Sequence, residues 1–236
     1  MLLGELRHPL RVMRTRRPQE PDFLLFRRLP QQGLFLDIGA HAGQSSAAFH
    51  LLQPRWRILA FEPDPAMRPC LMVMKALLGR CFRFRMQGVG STSGSARLLR
   101  PSAGRERLQG EATFDRLSIE QHPPTTERLS RLAKGRPLRW EAIERPMVTL
   151  DELSLAPTAV KLDVQGGEWQ AIQGMRCTLE RHRPIILMEN NRHSRRIAED
   201  LAPLGYRPRN YDAERDRLVR KDNPFEALNL VLQPSA

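Results

Sequence analysis

The chain has 236 residues, 41% of them hydrophobic, enough for one domain with a sizeable core. Charged residues make up 27%, as in an ordinary globular protein, and no run approaches the roughly 18 apolar residues of a membrane span. The net charge of +12 comes from 34 arginines and 4 lysines spread along the sequence. This reads as a solvated basic surface rather than a nucleic-acid footprint.

Three cysteines (Cys70, Cys81 and Cys177) are odd in number and follow no zinc spacing. They argue against a disulfide framework and a structural zinc site, and they fit a reducing, cytoplasmic compartment.

From the N-terminus, Leu2, Leu3, Leu6, Leu10 and Met13 recur at helical spacing, with Arg7, Arg11, Arg14, Arg16 and Arg17 between them. A secretory signal keeps its charge ahead of an unbroken apolar run, so this is not one. Residues 1–21 are expected to form a basic arm or helix docked on the domain. The sharper reading is peripheral contact with a membrane surface or a partner. Pro18 and Pro21 mark the boundary with the domain, residues 22–236.

A short helix over 22–28 is followed by a buried strand at 33–40, a helix at 44–52 and a strand at 57–61. The prolines at 63 and 65 stop that strand. A helix at 66–78 capped by Gly79 and a third strand at 81–89 come next. Residues 91–146 are rich in Ser, Gly, Arg and Pro and weakly periodic. They read as an insertion over the strand ends, with a strand at 95–100 and a helix at 127–133.

Beyond it the spacing gives a strand or turn at 148–153, a strand at 159–164, a helix at 167–182, a strand at 184–189 and a helix at 195–204. Two last strands, at 206–211 and 227–232, flank a charged loop. Alternating strands and helices predict an α/β fold with a mostly parallel sheet, closed by an antiparallel C-terminal edge hairpin. Ligands of such sheets bind at the carboxyl ends of the strands, near the switch point.

The first strand runs into Asp37-Ile38-Gly39-Ala40-His41-Ala42-Gly43. Its glycines permit a tight turn and close approach of the backbone to a ligand. The acid precedes the glycines, where it would repel a pyrophosphate and suit an ammonium group. S-adenosylmethionine meets that requirement. Glu62, 19 residues after Gly43 and at the next strand end, can accept two ribose hydroxyls. Farther on, Lys161 and Asp163 lie two apart on a strand and share a face. A buried lysine there needs a carboxylate partner, and Glu189 on the adjacent strand end is a candidate. Glu168 begins the following helix, where an acid also suits the helix dipole.

These segments resemble the FkbM-type S-adenosylmethionine-dependent methyltransferase family. The resemblance rests on FLDIGAHAGQSS (35–46), AFEPDP (60–65), VTLDEL (148–153), VKLDVQGGEWQAIQGM (160–175), PIILMEN (184–190) and LGY (204–206), and runs from about Gly33 to Leu232. It implies a class I, Rossmann-like methyltransferase fold and an oxygen acceptor on a sugar, glycan, polyketide or other small metabolite. The sequence departs from the family pattern in carrying His41 for Asn, Gln165 for Glu and a small Gly167.

The candidate cofactor-binding set is therefore Asp37, Gly39, Ala40, His41, Gly43, Ser45, Glu62 and Asp163. The candidate catalytic set is Asp163, Glu168, Lys161 and Glu189. Asp163 is the first choice for the base that takes a hydroxyl proton, with His41, His122, His193 and Glu189 as alternatives. Asp163, Glu168 and Glu189 could instead converge on a divalent cation, but no spacing demands one and metal is the less favoured reading. A nucleic-acid methyltransferase is the basic-charge alternative. The aromatic content of 6% leaves little for base stacking, so nucleic acid is not the expected partner. A cofactor-binding scaffold without catalysis is disfavoured by the intact acidic motifs. The 91–146 insertion is expected to select the acceptor.

Overall fold

The computed structural model describes residues 2–104, 106–108, 111–121 and 123–235. Helix α1 (Leu2–Thr15) comes first. Strand β1 (Leu34–Ile38), helix α2 (Gln44–Leu52), strand β2 (Arg57–Phe61), helix α3 (Arg68–Leu78) and strand β3 (Phe82–Arg85) then alternate. The insertion contains β4 (Gly88–Val89), β5 (Gly94–Ala103), β6 (Glu106–Arg107), α4 (Arg116–Glu120), α5 (Pro123–Ala133) and β7 (Leu138–Val148). The main fold resumes with β8 (Ala159–Leu162), α6 (Glu168–Gln173), α7 (Arg176–His182), β9 (Ile185–Glu189) and α8 (Ser194–Leu201). It closes with β10 (Tyr206–Asp212), β11 (Arg217–Val219) and β12 (Asn229–Pro234).

Eight strands form one sheet in the order β11-β10-β12-β9-β8-β1-β2-β3. The pairs from β9 to β3 are parallel, and β12 and β10 add antiparallel pairs at the far edge. Every residue of β1 and β8 is buried, which is why both read as unbroken apolar runs with a single charge. Alternate residues feed two cores. Leu36, Ile38, Val160 and Leu162 pack with Ile172, Met175, Leu179 and Ile197 on one face. Phe35, Ala159 and Leu187 pack with Phe49, Trp56, Leu71 and Met74 on the other.

After β3 the chain crosses back to place β8 beside β1. The strand order therefore switches between β1 and β8, whose tips carry Gly39 and Asp163.

Helix α1 packs on α2 and α3 through Leu6 and Val12, while Arg11 and Arg14 are exposed. No helix among the described residues is long and apolar enough to cross a membrane.

Several boundaries differ from the sequence expectation. The single strand over 81–89 is two strands in two sheets, because the chain turns out of the main sheet before Gly88. A Cβ at Gly88 would lie 2.4 Å from the Met147 sulfur, so glycine lets Met147 and Phe114 pack closely where β4 pairs with β7. The helix over 167–182 is broken at Gly174, where a Cβ would meet Gly90 O at 1.8 Å: the root of the insertion packs into the break. Most changed is the insertion itself. Its strand is not confined to 95–100 but forms a long antiparallel pair with β7, from Gly94↔Met147 to Ala103↔Leu138, in a second sheet ordered β4-β7-β5-β6.

Candidate active site

A cavity of about 470 Å³ opens where the switch-point argument places it. Ile38 and Gly39 at the end of β1, Phe61 and Glu62 at the end of β2, Asp163 and Val164 beyond β8, and Glu189 from β9 line its floor. Leu98, Ala112, Phe114, Arg128 and Leu132 of the insertion form one wall, and Glu5, Arg7 and His8 of α1 form another.

The β1–α2 loop is built on glycine. Gly39 has φ +85°, and a Cβ there would stand 1.7 Å from Asp163 O, so the two strand tips can touch only at a glycine. The amides of Gly39 and Ala40 both donate to Phe61 O, at 2.9 and 3.0 Å. Gly43, at φ +92°, begins α2, which has no side-chain cap. The first backbone N–H groups of α2 thus have no partner within the helix. Gln44 Oε1 and His41 Nε2 are buried near one another, and neither makes a hydrogen bond of good geometry. Glu5 Oε2 lies 3.3 Å from that histidine nitrogen. Burial holds the His41 imidazole below its usual pKa.

Glu62 accepts the His41 amide on Oε2 and the Asp64 amide on Oε1, both at 2.8 Å. Each oxygen keeps a lone pair for the cavity. Burial, partly offset by these amides, pushes its carboxyl up to about 7.

Asp37 does not reach the cavity. It is fully buried beneath the loop, with Oδ2 accepting Ser46 Oγ at 2.6 Å and Oδ1 unpaired. Burial lifts it to about 6 despite Lys161, its partner in register across the β1–β8 ladder. Direct contact with a ligand ammonium, expected from the sequence, is therefore corrected. Asp37 faces inward and ties α2 to the sheet. Ala40 and Ser45 are buried and likewise outside the cavity wall.

The partner of Lys161 is also corrected. Lys161 Nζ donates to Asp163 Oδ2 at 2.7 Å, not to Glu189, because residues two apart on a strand point the same way. Burial alone would lower the lysine pKa, but Asp163, Glu20 and Asp37 raise it above its usual value. Burial would in turn raise Asp163, yet Lys161 and the Gln165 amide hold it below its usual value. Gln165 sits in the left-handed region at φ +52° and bridges the two strand tips. Its Nε2 donates to Asp163 Oδ1 at 3.0 Å and to Glu189 Oε2 at 3.4 Å. Burial and the neighbouring Asp163 push Glu189 up to about 8.

Glu168 is buried away from the large cavity. Its Oε1 accepts the amides of Val164 and Gly166, at 3.0 and 3.3 Å, and its Oε2 accepts Asn191 Nδ2 at 2.7 Å. It staples the loop after β8, and burial pushes it up to about 7. His193 donates its amide to Asn191 Oδ1 in the turn before α8, outside the cavity. His122 lies outside the described residues. Among the described residues no group of three or more His, Cys, Asp or Glu side chains is arranged to hold a metal ion.

Sequence reasoning missed Gln44 as a cavity residue and missed the bridging role of Gln165. The first had a signal in its place one residue after the loop's last glycine. The second was visible only as a departure from the family pattern.

The family model of the methyltransferase FkbM domain matches residues 37–208. No curated protein matches the chain. Among solved structures, the methyltransferase FkbM of Methylobacillus flagellatus KT is similar at a TM-score of 0.53 and 15% identity, over 87% of this chain and 44% of that one. This chain thus spans less than half the length of that relative. A precorrin-6y C5,15-methyltransferase of Geobacter metallireducens GS-15 gives a TM-score of 0.44 and 14% identity over 89% of this chain and 82% of that one. The family model covers more than half of the chain, from the β1 acid through the β8 and β9 tips into β10, and the chain belongs to the FkbM methyltransferase family.

Proposed function

We propose that this chain is an S-adenosylmethionine-dependent O-methyltransferase acting on a hydroxyl of a sugar, glycan or other small polyhydroxylated metabolite. The observation that carries the reading is the row Asp163–Gln165–Glu189, standing in one cavity with the Gly39 loop and Glu62.

The cavity fits the cofactor in three respects. Glu62 has free lone pairs for a ribose diol. The start of α2 turns N–H groups that have no partner within the helix toward a carboxylate, and the unsatisfied Gln44 Oε1 beside them can accept from an ammonium. S-adenosylmethionine, when bound, supplies a methyl group already activated by its sulfonium. The protein's part is then to position the acceptor and take its proton. Asp163 is fixed as an anion by Lys161, which suits it to face a cationic centre and to hold an acceptor hydroxyl. The low pKa that follows makes it a weak base. Glu189 lies next to it, and its raised pKa matches a base working near neutral pH. Glu189 thus replaces Asp163 as the proton acceptor in this reading, with Lys161 and Gln165 positioning the pair and Glu168 holding the loop.

The test is transfer of labelled methyl from S-adenosylmethionine across a panel of sugars and glycans. Glu189→Gln should leave cofactor affinity within about twofold and lower kcat by roughly 10²–10⁴-fold. In the wild type, kcat should rise with pH through about 8 as Glu189 loses its proton. Methyl transfer only to nitrogen, or a Glu189→Gln enzyme of normal kcat, would overturn the assignment.

A further inference from the structure

The loop Glu62-Pro63-Asp64-Pro65 holds Glu62 toward the cavity with only two backbone donors of its own, the Glu62 amide to Arg85 O at 3.1 Å and the Asp64 amide to Glu62 Oε1 at 2.8 Å. Two of its four residues are prolines without an N–H, and Pro63 O belongs to no helix or strand. Further donors come from the insertion. Arg145 on β7 donates Nε to Pro63 O at 2.6 Å and Nη2 to Met86 O at 3.2 Å, clasping the loop to the segment after β3. Arg100 on β5 is 7% exposed and donates Nη1 to Asp64 Oδ1 at 3.3 Å. The same Asp64 oxygen accepts the Ala66 amide at 3.0 Å, and the Asp64 amide donates to Glu62. The second arm of Arg100 reaches Glu141 at 2.9 Å on the facing strand. A continuous set of charge-assisted hydrogen bonds therefore runs from the hairpin through Asp64 to Glu62 and on to the His41 amide.

We infer that Arg100 and Arg145 are positioning residues for the cofactor: the insertion, beyond forming a wall of the cavity, clamps the loop that presents Glu62 to the ribose. The inference rests on the cofactor reading proposed above. A guanidinium is suited to this work because its fork spans two carbonyls at fixed spacing, which a lysine cannot do. Linkage makes the coupling reciprocal. A loop that binds ribose only when clamped also tightens the hairpin when ribose is bound.

The experiment is calorimetric titration of the full chain with S-adenosylhomocysteine and with its 2′,3′-dideoxy analogue, which lacks the hydroxyls that Glu62 would accept. Arg100→Met and Arg145→Met should each weaken S-adenosylhomocysteine by about tenfold. The wild type and both variants should bind the dideoxy analogue within about twofold of one another. Arg145→Lys, which keeps one donor, should recover part of the loss. Amide exchange in β5 and β7 of the wild type should slow when S-adenosylhomocysteine is added. Equal losses on both ligands would mean general damage to the fold, and unchanged binding of S-adenosylhomocysteine would mean no clamp. Either overturns the inference and leaves the cofactor reading standing. A wild-type chain that binds no S-adenosylhomocysteine overturns both.

Discussion

Along β1 and β8 of the eight-stranded sheet every side chain is buried, whereas along the eleven residues of β7 in the four-stranded sheet only Val148 is. The larger sheet lies between two apolar layers that include Phe35, Phe49, Trp56 and Leu162. The smaller one has a cluster of Ala103, Leu108, Ile119, Leu129 and Ala133, with Trp140 at its edge. What else fixes it is charge: Arg100 with Asp64 and Glu141, Arg107 with Glu141, Arg136 with Glu106, Arg128 with Glu111, and Arg192 with Asp115. Burial of apolar area is the stronger and less salt-dependent of the two forces. The two regions should therefore open separately, with the insertion at the low end of the stability range, where elements that admit ligands belong.

The largest test of this difference is a pair of cavity-forming substitutions. Phe35 has no exposed surface, stacks on Phe49 at 3.9 Å and meets Phe26 edge-on at 5.5 Å. Phe35→Ala should cost about 3–5 kcal/mol and lower Tm by on the order of 10 °C for a chain of this size. Leu129→Ala, 2% exposed in the small cluster, should leave that main transition within a few degrees and speed amide exchange in β5 and β7 instead. Equal losses of Tm in the two variants would show a single cooperative unit.

The same contrast explains what could be read from the sequence. Strands β1, β2, β8 and β9 are short apolar runs bounded by glycine or proline, and burial on both faces leaves them no other reading. The β5–β7 pair has no such pattern, because its side chains alternate between solvent and a thin cluster, and much of what holds it is arginine. Arg100 and Arg145 are two among 34 arginines, and nothing local distinguishes a guanidinium that clasps a loop from one in solvent.

At the site, the shared face of Lys161 and Asp163 followed from strand periodicity, as did the tips of β1 and β2. Which carboxylate Lys161 chooses, and the burial of Asp37 beneath its loop, depend on how the tips stack. The raised Glu189 arises from Asp163 and from burial, both products of the fold.

A second, intermediate effect depends on pH and weighs more heavily on the larger sheet. Burial raises Asp37 to about 6, Glu62 and Glu168 to about 7 and Glu189 to about 8, in or just beyond the strands of the larger sheet, and raises Glu111 of the insertion to about 7. A carboxyl with a raised pKa binds its proton more tightly folded than unfolded. Its contribution is complete below the unfolded value near 4 and is lost as pH rises through the folded value. Asp163, held low, has the opposite sign, but its loss falls below about pH 4. Without ligand, Tm of the main transition should therefore fall between about pH 5 and pH 8, and Glu168→Gln should flatten part of that slope. Thermal unfolding at several pH values checks this. A Tm that climbs across the window would mean that these carboxylates are ionised and satisfied at neutral pH.

The smallest effect belongs to the latch between the regions. Arg192, in the turn after β9, donates to Asp115 Oδ2 and Gln121 Oε1, both at 2.6 Å, and so ties α4 to the cavity side of the sheet. Thr113 Oγ1 adds a bond to Gln165 O at 2.7 Å. The ion pair is 35% and 23% exposed at its two side chains, so solvent and salt screen it. An exposed pair of this kind contributes roughly 0.2–1 kcal/mol. That is too little to move the main transition by more than about 1–3 °C. It is enough to shift the opening equilibrium of the insertion by up to about fivefold, since a factor of ten needs about 1.4 kcal/mol. Arg192→Ala should accordingly speed amide exchange in α4 and α5 severalfold with Tm nearly fixed. Raising salt to about 0.5 M should reproduce much of that acceleration in the wild type and little more in the variant. If salt acts equally on both, the screened contacts lie elsewhere in the insertion, in the Arg107–Glu141 and Arg136–Glu106 pairs, and Arg192 is not the latch.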